Sequence, residues 1–178
     1  APSWRYDVVG EADLVEEVLR INGFDEIPIV PLERETALPH GAINLIQDRR
    51  SRVRRSLATR GMTEAVTFSF VAPNQADLFG GVPESIHLVN PISTDLAIMR
   101  PSILPNLIAA AGRNADRGIS DVALFELGPQ FAGENPDDET IVAAGLRVGS
   151  ATPRNWAGKA REVDVFDVKA DVLAGLAQ

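Results

Sequence analysis

Glycine and proline cut this chain into short pieces, and that punctuation limits what it can fold into. A helical pattern over residues 11 to 22 stops at Gly23, and another over residues 42 to 60 stops at Gly61. Glycine is a usual residue just past a helix end. In Ile27-Pro28-Ile29-Val30-Pro31-Leu32 two prolines forbid a helix and favour extended chain. Residues 4 to 9 also read as extended. Residues 63 to 71 alternate well enough for a half-buried strand. Residues 73 to 78 form a short helix broken by Gly80-Gly81, and a strand over 85 to 89 ends at the turn signal Asn90-Pro91. A helix over 102 to 116 carries the stripe Ile103, Leu104, Leu107, Ile108 and Ala111, with Pro105 harmless in its first turn. Strands follow at 121 to 127, broken by Gly128-Pro129, and at 140 to 148. A loop of small and charged residues covers 149 to 162, and a last helix covers 167 to 176. There is no repeat and no βαβ rhythm. The pattern predicts an α+β fold with a mainly antiparallel sheet flanked by helices.

The polar stretch 33 to 41, with Pro39 and Gly41, is the expected linker between a first domain at 1 to 32 and a second at 42 to 178. The chain opens on Ala1-Pro2-Ser3-Trp4 without methionine and ends in an apolar helical pattern without a clear cap, so both ends are expected to be cuts inside a longer protein. With 45% hydrophobic and 24% charged residues, a packed core is expected. The net charge of −8 argues against wholesale coating of nucleic acid. No cysteine is present, which removes disulfides and thiolate metal sites and fits a cytoplasmic setting. The only histidines, His40 and His87, have no catalytic or zinc-binding motif around them. No apolar run approaches the roughly 18 residues of a membrane span.

Two clusters of charge stand out. Asp13, Glu16 and Glu17 are spaced i, i+3 and i+4, which puts three carboxylates on one helix face. Leu14, Val15, Val18 and Leu19 cover the opposite arc, which is expected to face a core. Asp7, on the preceding extended segment, could join the three. Oxygen ligands of this kind suit magnesium. A solvated first turn, favoured by the helix dipole and paired with Arg20, explains the same spacing. The second cluster is Arg49, Arg50, Arg52, Arg54 and Arg55, with Arg60 at the helix end. These spread around most of the helix, beside a narrow stripe of Ile46, Val53 and Leu57. Phosphate contact with RNA, or pairing with an acidic partner surface, is the functional reading. The acidic total and the lack of interleaved aromatic residues favour a solvated face.

Several ordered motifs carry a resemblance. Pro2-Ser3-Trp4-Arg5-Tyr6-Asp7, Asp13-Leu14-Val15-Glu16-Glu17, Arg20-Ile21-Asn22-Gly23-Phe24-Asp25 and Ile27-Pro28 resemble the end of the B5 domain in the bacterial phenylalanyl-tRNA synthetase beta chain. Leu57 to Phe70, Asn90-Pro91-Ile92-Ser93, Met99-Arg100-Pro101-Ser102-Ile103-Leu104-Pro105 and Leu124-Phe125-Glu126-Leu127-Gly128 are similar to the family's later blocks. The resemblance implies a fold like that of class II aminoacyl-tRNA synthetases. It implies a magnesium site on Asp7, Asp13, Glu16 and Glu17, shared with an alpha subunit. It also implies an assembly of two alpha and two beta subunits that joins phenylalanine to tRNA-Phe, with ATP used by the alpha subunit.

The same resemblance implies that this part of the beta chain is catalytically inactive. Class II sites use Phe-Arg-x-Glu, whose arginine grips the ATP α-phosphate with a planar, fixed charge. In Phe131-Ala132-Gly133-Glu134 the arginine position holds Ala132. No catalytic or cofactor-binding residue is therefore expected, and the role left is structure and assembly. The rival readings are a self-contained ATP-dependent ligase on the same fold, which Ala132 opposes, and a nucleic-acid-binding module built on the arginine helix. The stripe Ile46, Val53, Leu57 and the segment Ile98-Met99-Arg100 are the expected contacts with the alpha subunit.

Overall fold

The computed structural model describes residues 1–32 and 41–178. Two compact units divide between Ala42 and Ile43. The linker expected over 33 to 41 lies, apart from Gly41, outside the described residues, as does His40.

The first unit is built on one helix, α1 (Glu11–Asn22). It starts where the Asp13 carboxylate turns back to accept hydrogen bonds from the Val9 and Gly10 N–H groups, at 2.9 and 2.7 Å. It ends where Gly23, at φ +105°, donates its N–H to the Leu19 carbonyl. The segment 28 to 32 is irregular, as its two prolines require. The expected core-facing arc is a correction. Leu14, Val15 and Val18 are exposed and, with Leu19, line only a shallow apolar depression. A piece this short cannot supply the second layer that would cover them.

The second unit is α+β. Helix α2 (Leu45–Thr59) is capped reciprocally by Asn44 and Gln47, each side chain accepting the other's backbone N–H at 2.9 Å. It leads through Gly61 into β1 (Thr63–Glu64). After β2 (Phe70–Val71), α3 (Pro73–Leu78) and β3 (Ile98–Met99) comes α4 (Leu104–Ala115). Strands β4 (Val122–Phe131) and β5 (Glu139–Val148) form a long antiparallel hairpin in register from Val122 opposite Val148 to Phe131 opposite Glu139. β1 adds in parallel to β4, giving the order β1-β4-β5. β2 and β3 pair antiparallel, as do β6 (Ser150–Thr152) and β7 (Arg161–Glu162). Helix α5 (Val165–Leu176) closes the chain, its Asp164 cap accepting from the Phe166 and Asp167 N–H groups.

Strand alternation sets the two faces of the hairpin. Phe125, Ala123 and Leu127 pack with Leu57, Met62 and Val53 of the α2–β1 passage. Glu126 and Gly128 point the other way. A second cluster holds Val71, Ala76 and Ile98, and α4 buries Leu107 and Ala111, with Ile103 buried just before its first turn.

Four sequence expectations differ from this unit. The strand expected over 63 to 71 is split, because the Thr67 hydroxyl and the Phe68 carbonyl turn to meet Arg100. The strand expected over 85 to 89 is a 3₁₀ turn (Glu84–Ile86) followed by a single bridge from His87 to Ile98. β4 continues through Gly128-Pro129: β1 pairs only with Leu124 and Phe125, so the strand needs no ladder N–H from Pro129 on that side. The loop over 149 to 162 contains the β6–β7 hairpin. The expected subunit contacts also change. Ile98 and Arg100 are fully buried, and Leu57 is in the core, so Ile46 is the exposed member of that set.

Candidate metal centre

Three of the four carboxylates singled out in the sequence are engaged by the chain's own donors. Arg5 reaches Asp7 with two nitrogens, Nε to Oδ1 at 2.9 Å and Nη2 to Oδ2 at 2.7 Å. The same Nη2 donates to Glu17, whose other oxygen accepts from Arg20 at 2.7 Å. Asp13 is held by the Val9 and Gly10 N–H groups. Glu16 is exposed and makes no ion pair among the described residues.

The electrostatics follow from these contacts. The Arg5 guanidinium, with backbone help, holds the Asp7 carboxyl below its usual range. The Gly10 and Val9 N–H groups do the same for Asp13. Arg5 and then Arg20 lower Glu17 to about 2. Arg5 itself is raised, chiefly by Asp7 and Glu17. All of these groups are ionised at neutral pH. What joins Asp7 to Glu17 is a guanidinium, and among the described residues no group of three or more carboxylates or histidines stands ready for a metal.

Sequence reasoning overlooked Arg5 as the internal cation of this cluster. It also put Arg100 on the surface. Arg100 is 1% exposed and Glu126 3%. Arg100 Nη2 donates to Glu126 Oε1 at 2.8 Å, Nε to the Pro129 carbonyl at 2.8 Å, and Nη1 to the Thr67 hydroxyl at 2.8 Å. Thr67 in turn donates to Glu126 Oε2 at 2.6 Å. A Cβ at position 128 would lie 2.7 Å from Arg100 Nη2, so Gly128 leaves room for the pair. One signal was available: Glu126 sits among apolar residues on a strand, and a buried charge needs a partner. A second overlooked set is Asp171, which accepts from Arg147 Nε at 2.6 Å and from Arg60, tying β5 and the end of α2 to α5. Burial raises the Asp171 carboxyl, but Arg147 and Arg60 together outweigh it and the net shift is downward.

A cavity of about 220 Å³ is lined by Val53, Leu57, Met62, Val172 and Leu176, and its charged residues, Arg147 and Asp171, are paired with each other. Ala132, just past the end of β4, presents only a methyl group; its N–H donates to the Asp138 carbonyl, closing the β4–β5 loop. Of the α2 arginines, Arg52 pairs with Asp48, Arg54 with Glu64 and Arg60 with Asp171.

The fold is that of class II aminoacyl-tRNA synthetases. A pyrrolysyl tRNA synthetase of Desulfitobacterium hafniense superposes with a TM-score of 0.51 at 12% identity, over 75% of this chain and 44% of that one. Residues 29–178 match the family model described as the phenylalanyl tRNA synthetase beta chain CLM domain, and residues 1–24 match the tRNA synthetase B5 domain. The chain belongs to the phenylalanyl-tRNA synthetase beta chain family. The phenylalanine–tRNA ligase beta subunit of Paramagnetospirillum magneticum is 57% identical over 99% of this chain and 22% of its own length. That of Rhodospirillum rubrum is 55% identical over 98% of this chain and 22% of its own. The chain thus spans about a fifth of the length of the curated relatives it matches.

Proposed function

We propose that this chain is the end of a B5 domain and the start of a catalytic-like domain in the beta subunit of a cytoplasmic phenylalanine–tRNA ligase, where it serves assembly and not catalysis. ATP and phenylalanine are handled by the alpha subunit in a complex of two alpha and two beta subunits acting on tRNA-Phe. What carries this reading is Ala132, a methyl group at the position where the resemblance to class II sites calls for a cation. A neutral methyl cannot hold a phosphate in place of a bidentate guanidinium. Exposed apolar side chains support the assembly role: Ile43, Leu45 and Ile46 before and within α2, and Val172, Leu173 and Leu176 on α5.

The magnesium site remains part of the proposal, on Asp7, Asp13, Glu16 and Glu17 with further oxygens from the alpha subunit. In the arrangement described above the four do not fit the ion, because Arg5 bridges Asp7 and Glu17. Magnesium asks for near-ideal octahedral oxygens, so it would bind this set only after Arg5 had left it.

The test is co-expression with a phenylalanyl alpha chain. The two should co-purify, and Ile46→Asp should weaken the complex while leaving the beta fragment folded. The isolated chain should show no phenylalanine-dependent ATP–pyrophosphate exchange. Exchange by the chain alone would support the self-contained ligase instead.

A further inference from the structure

Trp156 differs from the exposed apolar residues of the helices. Those of α1 and α5 come in groups at helical spacing, as a surface awaiting a covering layer does. Trp156 is 99% exposed and alone: its neighbours are Pro153, Arg154, Asn155, Ala157, Gly158 and Lys159. It sits on a closed turn. Asn155 N–H donates to the Gly158 carbonyl at 3.1 Å, Gly158 N–H donates back at 3.3 Å, and Ala157 N–H donates to Asn155 Oδ1 at 2.9 Å. Below the turn, β6 and β7 pair. The indole is thus presented by the backbone, not left on a tail.

The charge around it is also unusual for this protein. From Thr140 to Arg161 the chain carries Arg147, Arg154, Lys159 and Arg161 and no carboxylate, within a total of −8. Arg147 is committed to Asp171, and Arg161 to Asp164 and Asp167. Arg154 and Lys159, which flank the indole, make no ion pair among the described residues. A tryptophan that anchors a protein contact sits among other packed side chains that exclude water. Here the residues beside it along the turn are cations and small residues. An exposed π-face beside free cations matches a ligand with flat rings and regularly spaced negative charge.

We propose that the tip of this hairpin binds single-stranded nucleic acid, with the Trp156 indole stacking on an unpaired base and Arg154 and Lys159 contacting the flanking phosphates. Stacking accepts any base, since each has a π-face. The phosphate contacts supply attraction that salt weakens. It deepens the reading of a complex that acts on tRNA-Phe, on which it rests for its nucleic-acid ligand, and uses none of the assembly or metal residues.

The chain has two tryptophans, Trp4 and Trp156, so Trp4→Phe leaves Trp156 as the sole indole reporter. Titration with short oligouridine at low salt should quench its emission. The logarithm of affinity should fall against the logarithm of salt with a slope near −1.4, from two phosphates at about −0.7 each. Arg154→Ala with Lys159→Ala should flatten that slope. Trp156→Ala, read by anisotropy of a labelled strand, should weaken binding about tenfold. The deoxy strand should bind comparably, since neither contact reads the 2′-hydroxyl. Absence of quenching at low salt would overturn the proposal. So would binding that survives all three substitutions unchanged, which would place the strand elsewhere, such as on α2. An indole shielded by the phenylalanyl alpha chain but untouched by either oligonucleotide would make it a protein contact and also end the proposal.

Discussion

Arg5 and Arg100 do the same chemical job in opposite surroundings. Each extends a guanidinium fork to a carboxylate: Arg5 to Asp7 and Glu17, and Arg100 to Glu126. Arg5 and its partners stand in solvent-accessible positions, with side chains 29–61% exposed. Arg100 and Glu126 are almost wholly enclosed. In water the cation and anions were nearly as well served apart, so the pairing can be exchanged for another cation at little cost. In the core neither charge has an alternative, and each remaining donor or acceptor must find a protein partner. The buried pair finds them in Thr67 and the Pro129 carbonyl. Similar geometry therefore gives a replaceable cation position in one place and a fixed strut in the other.

The largest test of this contrast is Arg100→Met. It leaves Glu126 buried without a counter-charge and should cost about 3–5 kcal/mol. Thermal unfolding followed by circular dichroism should drop by roughly 10–15 °C for a unit of this size. The double substitution Arg100→Met with Glu126→Leu should recover most of the loss, because the lone charge is then gone. If the single change melts within a degree of the parent, the pair is not a strut.

Gly128→Ala probes the same place through volume. Its Cβ would meet Arg100 Nη2 at 2.7 Å and Glu126 Oε1 at 2.9 Å. Such crowding should cost about 1–3 kcal/mol, read by urea unfolding. In an Arg100→Met background the crowding at the guanidinium is relieved, so the cost there should shrink. Equal costs in both backgrounds would mean that the strain lies in the backbone.

These residues mark the limit of what the sequence disclosed. Helix ends were legible wherever local chemistry decides them: Gly23 after α1, Pro73 at the start of α3 and the Gly80-Gly81 break. The resemblance and the class II fold were legible because motifs such as Met99-Arg100-Pro101 and Phe125-Glu126-Leu127-Gly128 keep their order. Their three-dimensional meaning was not, since Arg100 and Glu126 meet across 26 positions that no local pattern links. The division of residues 63 to 71 has the same origin, for Thr67 and Phe68 leave the ladder to serve a residue far along the chain. At the candidate metal centre, helical spacing put Asp13, Glu16 and Glu17 on one helix. It could not say that Arg5, two residues before Asp7, would claim two of the four carboxylates.

The smallest effect is the most direct test of the replaceable cation. In the folded chain Arg5 and Arg20 hold Glu17 at about 2, against 4.5 for the free side chain. A carboxyl lowered by folding adds stability at pH values above its unfolded pKa, and loses it as pH falls through the folded one. Any contribution from Glu17 is thus complete above about pH 4.5 and fades toward pH 2, and solvent screening keeps it slight. The sharper readout is the carboxyl itself. A ¹³C NMR titration of Glu17 should show a midpoint near 2 in the parent, shifting upward in Arg5→Met because the largest cause is removed. With Asp7 and Glu17 released, added magnesium should move the carboxyl signals of Asp7 and Glu17 in Arg5→Met at concentrations that leave the parent unchanged. If magnesium perturbs the parent and the variant alike, Arg5 does not compete for the site. If it perturbs neither, the four carboxylates need donors from a partner chain before they can hold the ion.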